Sequence, residues 1–250
     1  MRGHVTEATR TRTRRYLRGW CPVHSHARIR AGMGVLGRAG SLRRTPDRPP
    51  WHHADMDLED FWAAISTARA ACREGQPFHQ ALTGHLATLP PDDLVAYQAR
   101  FRDLRARLYR WDVWASAYLI GGGCSDDGFI DFRAGLIAQG RGWYERAAAS
   151  PDDLADHPDV RSGRTDFRDE SVNYAAVYAY KATTGGSTAD FYSRCSIYRG
   201  SLGVQRESDM DMGEDFDFDN PQQMRRHLPR LSAIFLLDDI PSRPRRRLLG

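Results

Sequence analysis

Trp111-Asp-Val-Trp-Ala-Ser-Ala-Tyr-Leu-Ile120, stopped by Gly121-Gly-Gly123, decides how this chain folds. The segment is apolar nearly all round, so a helix made from it has no face to give to water and is expected at the centre of a helical assembly. Its neighbours on the N-terminal side read as amphipathic helices that could surround it. Asp57 is placed to cap a helix, with Asp60 in its first turn, and Leu58, Phe61, Trp62, Ile65, Ala68 and Cys72 share one face before Gly75. Pro77 opens a second helix with Phe78, Leu82, Leu86 and Leu89 inward, and His85 near the same stripe. After Pro90-Pro91, a third begins at Asp92 and Asp93. Its stripe is Leu94, Tyr97, Phe101, Leu104 and Leu108, with Arg100, Arg102, Arg105 and Arg107 outside or on the borders.

On the C-terminal side, a helix starting at Ser125 or Asp126 buries Phe129, Phe132, Leu136 and Ile137, and Gly140 ends it. Trp143 to Ala149 form a short helix, followed by a turn at 152–156. Phe167 to Thr184 reads as the last long helix, closed by Gly185-Gly186. Residues 190–212 are ambiguous, with Tyr192 to Tyr198 readable as a short strand or a loop. Pro221 to Leu237 forms the final element, with Pro229 making a kink or a second start. The sum is an all-α single-domain multi-helix bundle, without repeats or βαβ alternation.

The formal net charge of +4 is unevenly spread. Residues 1–55 hold 12 Arg against Glu7, Asp47 and Asp55, a net of +9, and residues 241–250 add four Arg and no acid. The remainder, 56–240, has 20 basic and 29 acidic side chains, a net of −9. Such a domain repels phosphate backbones, so nucleic acid is not expected as the partner of the core. The chain has 35 Arg and one Lys, Lys181, an imbalance that reads as GC-rich coding. Cys72, Cys124 and Cys195 are far apart and suggest free thiols in a reducing cytoplasm. No apolar run reaches the length of about 18 residues that spans a bilayer, so no membrane is expected.

Residues 1–55 show neither helical nor strand periodicity and are expected to be a disordered Arg-rich leader. Three readings stand open: translation starting at Met56, a basic arm that touches nucleic acid or membrane, and a transit peptide. Cys21-Pro-Val-His24-Ser-His26 lacks a second ligand pair at zinc-finger spacing. Residues 241–250 read as a basic disordered tail.

Several segments resemble the bacterial domain family of unknown function DUF4240. They are Met56-Asp-Leu-Glu-Asp-Phe-Trp62, Arg110-Trp-Asp-Val-Trp-Ala-Ser-Ala-Tyr118, and Gly121-Gly-Gly-Cys-Ser-Asp-Asp-Gly-Phe129 with Asp131-Phe-Arg133, Leu136-Ile137 and Gly140-Arg141. Weaker echoes are Ser150-Pro-Asp-Asp-Leu-Ala155, Ala179-Tyr180, Gly213-Glu-Asp-Phe216 and Leu228-Pro-Arg-Leu231. The resemblance implies a small, soluble, cytoplasmic bacterial protein whose natural start is Met56. It implies no activity, because the family has none assigned.

Chemical density is confined to Gly121–Arg133. A glycine turn delivers Cys124, Ser125, Asp126 and Asp127 to a helix N-terminus, with Arg133 one to two turns further on. Helix N-termini bind anions and activate thiols, so Cys124 reads as a candidate nucleophile and the carboxylates as candidate acid, base or cation ligands. Capping explains Ser125, Asp126 and Asp127 equally well, and a carboxylate partner would explain Arg133. Elsewhere, Asp215, Asp217 and Asp219 match the opening ligands of an EF-hand. Asn220 and Arg226 then stand where that loop needs Gly and Glu, so a solvated acidic loop anchored by Phe216 and Phe218 is expected. His79, His85, His157 and His227 have no metal-ligand spacing, and no phosphate loop, dinucleotide fingerprint or zincin helix is present. No cofactor or metal is expected. The leading functional expectation is a helical protein-interaction or regulatory module with a protein partner. The alternative is a hydrolase or transferase built on Cys124, Asp126, Asp127 and Arg133.

Overall fold

The computed structural model describes residues 56–202 and 207–236; the leader with its Cys21–His26 cluster, Leu237 and the basic tail lie outside them. Among the described residues every regular element is helical. In order they are α1 (Leu58–Ala71), α2 (Phe78–Leu86), α3 (Pro91–Arg107), α4 (Trp111–Gly121), α5 (Asp126–Ala138), α6 (Arg141–Ala149) and α7 (Pro158–Arg161). Then come α8 (Ala175–Thr184), α9 (Thr188–Leu202), α10 (Pro221–His227) and α11 (Pro229–Phe235). Short 3₁₀ turns occupy Pro151–Asp156, Glu170–Tyr174 and Glu207–Asp209. No helix among the described residues is long and apolar enough to cross a membrane.

The starts follow local chemistry. Asp57 accepts the Asp60 amide at 2.8 Å and caps α1. Pro91 sits at the first position of α3, where a missing N–H costs nothing. α4 is buried along both sides, from Val113 to Ala117 and again at Leu119 and Ile120, as its all-round apolar character requires. It ends because Gly122 takes the left-handed conformation (φ 64°), which lets the Gly123 amide return to the Tyr118 carbonyl at 2.8 Å.

α3 is the second central helix. Beyond its expected stripe it also buries Val95, Ala96, Gln98, Ala99 and Ala106, because α1, α5, α8 and α9 all pack on it. The helix α9 replaces the strand or loop expected at Tyr192–Tyr198 and covers this second face with Phe191 and Cys195, both fully buried. Its Ser187 hydroxyl accepts the Asp190 amide at 3.0 Å, a capping pattern present in Ser187-Thr-Ala-Asp190.

A second correction falls on Phe167–Thr184, which is not one long helix. Phe167 has φ 60° and sits outside any helix; Glu170–Tyr174 form a 3₁₀ turn, and only Ala175–Thr184 are α-helical. The cause is tertiary. The Phe167 ring is buried against Phe132 and His157, and its carbonyl lies so close to Gly135 that a Cβ there would be 1.6 Å from the oxygen. Pro229 makes a second start: α10 and α11 are separate helices.

Candidate functional site

The Gly121–Arg133 segment is assembled by two helix ends. The α4 stop positions Cys124, whose carbonyl accepts the Trp114 indole N–H at 3.1 Å. Ser125 then caps α5, its hydroxyl accepting the Gly128 amide at 3.1 Å. Asp126 and Asp127 occupy the first turn, where carboxylates complement the helix dipole; Asp127 is exposed and Asp126 half-buried.

The Cys124 thiol is half-buried, and burial pushes it up to about 12, although Arg168 and Arg133 pull in the opposite direction. That is the reverse of what an activated nucleophile needs. Its nearest chemistry is Arg168, which is bound to Asp166 through Nε at 2.6 Å and lies over Gly121 and Gly128.

Arg133 turns away from this cluster. It is 1% exposed, and its guanidinium lies over the rings of Phe129 (4.4 Å) and Tyr109 (5.0 Å). An aromatic ladder of Trp111, Trp114, Phe129 and Tyr109 lies alongside it. Nε donates to the Phe129 carbonyl and Nη1 to the Arg105 carbonyl, both at 3.2 Å, and Nη2 donates to Glu207 Oε1 at 2.7 Å. Glu207 comes from the 3₁₀ turn at 207–209, and its other oxygen faces Arg105 Nη2 at 3.5 Å. Arg105 Nη1 donates to Asn173 Oδ1 at 2.9 Å, and Asn173 Nδ2 donates to Asp131 Oδ1 at 3.1 Å. A continuous polar chain Asp131–Asn173–Arg105–Glu207–Arg133 therefore links α5, the Glu170–Tyr174 turn, α3 and the Glu207 turn.

The electrostatics follow from position. Burial raises the Glu207 carboxyl, but Arg133 and Arg105 outweigh it and hold the group below the ordinary glutamate value. Burial, together with Glu170, Asp127 and Asp169, raises Asp131. Burial also raises Tyr109, with the Glu207 charge adding to it, so its phenol stays neutral.

Ser125, Asp126 and Asp127 thus stand together at the α5 start, with Cys124 just before it, and Arg133 belongs to a different cluster. Sequence reading did not find Arg105, Asn173 or Glu207 as partners. The arginines of α3 were visible at the helix border, but the carboxylate that engages Arg105 lies about 100 residues further on. Among the described residues no group of three or more His, Cys, Asp or Glu is placed to hold a metal ion. In the acidic loop, Asp217 accepts the Asp219 amide at 3.0 Å and Phe218 packs on Trp111 and Tyr118, so these groups serve the turn and its anchoring. His157 is an interior histidine. Its Nδ1 accepts the Asp159 amide at 3.2 Å and its ring packs between Trp143 and Phe167.

Fold and site define an all-helical domain organised around an internal arginine–glutamate cluster. Residues 56–182 match the family model described as "Protein of unknown function (DUF4240)", and the chain belongs to that family. No curated protein and no solved structure matches the chain.

Proposed function

We propose that this domain is a helical protein-interaction or regulatory module that performs no catalysis. One observation carries the reading: Ser125 and Arg133 are engaged in holding the fold, and Cys124 is not activated. Ser125 caps a helix, Arg133 is spent on Glu207 and two carbonyls, and the Cys124 thiol is held protonated by burial. Among the described residues no activated nucleophile stands beside a base, the arrangement that acyl or phosphoryl transfer through a covalent intermediate requires.

The surface supports a partner-binding role. Tyr178 on α8, and Ile197 and Leu202 on α9, are 49%, 55% and 46% exposed, large apolar groups on two neighbouring helices of an acidic domain. Isolated exposed apolar residues are ordinary, but such groups together favour association. A cytoplasmic setting fits the three separate free thiols of the described residues.

The test is mild purification of the full chain from its native cells, followed by mass measurement in solution. A partner recovered in fixed stoichiometry, and lost on Ile197→Glu with Tyr178→Glu, is the expected result. Recovery of monomer alone across repeats overturns the reading. So does a hydrolase or transferase activity that Cys124→Ala or Asp127→Asn abolishes in a chain with unchanged melting.

A further inference from the structure

Arg105 is under-used where it stands. Its Nε is buried with no hydrogen-bond partner, Nη1 has a neutral acceptor in Asn173, and Nη2 meets the Glu207 carboxylate at 3.5 Å. A well-engaged guanidinium holds a carboxylate through two parallel bonds of about 2.7–2.9 Å. Only Arg133 has such a bond to Glu207, and it is single, at 2.7 Å. One carboxylate is therefore shared between two forks: two carbonyls complete the set for Arg133, while Arg105 keeps an unpartnered Nε.

Charge points the same way. Arg133 is enclosed, and the side chains of Arg105 and Glu207 are only 18% and 24% exposed. Burial lowers Arg105, and the neighbouring Arg133 and Arg199 add to that effect while Glu207 opposes it. Burial likewise lowers Arg102, with Arg105 and Arg199 contributing, and its guanidinium rests on the Tyr192 ring at 5.1 Å. Arg102, Arg105 and Arg133 thus sit close together in a low-dielectric region, where Glu207 faces Arg105 and Arg133 and Asp131 adds a more distant carboxylate beside Arg105. Enclosing positive charge beyond what a carboxylate can neutralise is costly unless an anion joins it. Glu207 reaches the arginine pair from a three-residue turn rather than from one of the packed helices.

We propose that Arg105 and Arg133 form an oxyanion-binding site, that Glu207 occupies it as an internal stand-in, and that its external ligand is a phosphate-type dianion. Such a group has two charges where Glu207 has one. Its oxygens can reach both forks together, with the free Nε of Arg105 supplying an additional donor. The inference rests on the non-catalytic reading above and adds a ligand class to it. The two fail separately, since that reading is measured by co-purification and this one by anion titration.

The experiment titrates inorganic phosphate into the full chain, Glu207→Gln, and the double variant Glu207→Gln/Arg105→Gln, by calorimetry at constant ionic strength. Glu207→Gln is expected to bind phosphate at one site at least about tenfold more tightly than the unaltered chain, because the competing carboxylate is gone. The double variant should lose that gain. In parallel, phosphate should raise the melting temperature of the unaltered chain above the rise seen with Arg105→Gln, a comparison that subtracts the general stabilising effect of the salt. Folded Glu207→Gln with no gain in phosphate binding overturns the proposal. So does a gain that survives Arg105→Gln, or acetate binding as well as phosphate. If Glu207→Gln does not fold, equal phosphate shifts in the unaltered chain and Arg105→Gln overturn it alone.

Discussion

Gly135 and Phe167 show how far a single residue can constrain this fold. The Phe167 carbonyl occupies the space that a Cβ at position 135 would need. It can do so because Phe167 itself adopts φ 60°, unfavourable for an aromatic residue but held by burial of the ring against Phe132 and His157. Gly135→Ala is therefore expected to destabilise by about 3 kcal/mol or more, at the upper end of overpacking, because the obstacle is backbone and cannot rotate away. Chemical denaturation measures it, and a loss under about 1 kcal/mol would show that the contact relaxes freely. Glu207 gives a pH signature. Its folded value is depressed, so its stabilisation is fully present above the ordinary glutamate value of about 4.3 and is lost as pH falls through the lowered folded value. The stability difference between the unaltered chain and Glu207→Gln should be constant from neutral pH down to about 4.3 and shrink below it. Melting curves across the acid range check this; a difference that grows on acidification contradicts it.

At the scale of elements, α11 is completed by a residue far away in sequence. α11 has no cap of its own at Leu228. Asp152 supplies one from the Pro151–Asp156 turn, its carboxylate accepting the Arg230 amide at 3.1 and 3.0 Å and the Leu231 amide at 2.9 Å while remaining only 7% exposed. The surrounding ion pairs of Arg230 with Asp153 and Asp156 are half-open to water and add little. Asp152→Ala should cost about 1–3 kcal/mol by stranding the buried Leu231 amide and the part-buried Arg230 amide, and hydrogen exchange should accelerate first in α11. Uniform exchange across the domain would show that the cap is not local to that helix. α9 illustrates the opposite problem. Phe191 and Cys195 are its only fully enclosed apolar positions, too few to write a 3.6-residue period. Its signal was the cap, Ser187 with Asp190, and that is a pattern of two residues rather than a stripe.

For the whole molecule, the charge division at 56 and 240 separates an acidic helical domain from basic ends. We propose that 56–240 is the folding unit. A chain cut to Met56–Asp239 should keep the melting temperature of the full protein and show no affinity for duplex DNA by fluorescence anisotropy at low salt. DNA binding equal to that of the full chain would refute the charge division as the guide to partners. Much of the fold was legible because burial periodicity and caps act over a few residues: α1 to α6 follow from apolar stripes, Asp57, Pro91, Ser125 and the Gly121–Gly123 stop. The break at Phe167 and the second buried face of α3 were not legible, since each depends on another element packing against it. The same division runs through the candidate site. Capping at Ser125 is a local matter of one hydroxyl and an amide three residues on, and sequence narrowed it to Ser125 or Asp126. Which carboxylate meets Arg133 is settled by a chain that returns 74 residues later, and only the tertiary structure decided it, because Coulomb attraction and burial depend on distance in space and leave no period in the chain.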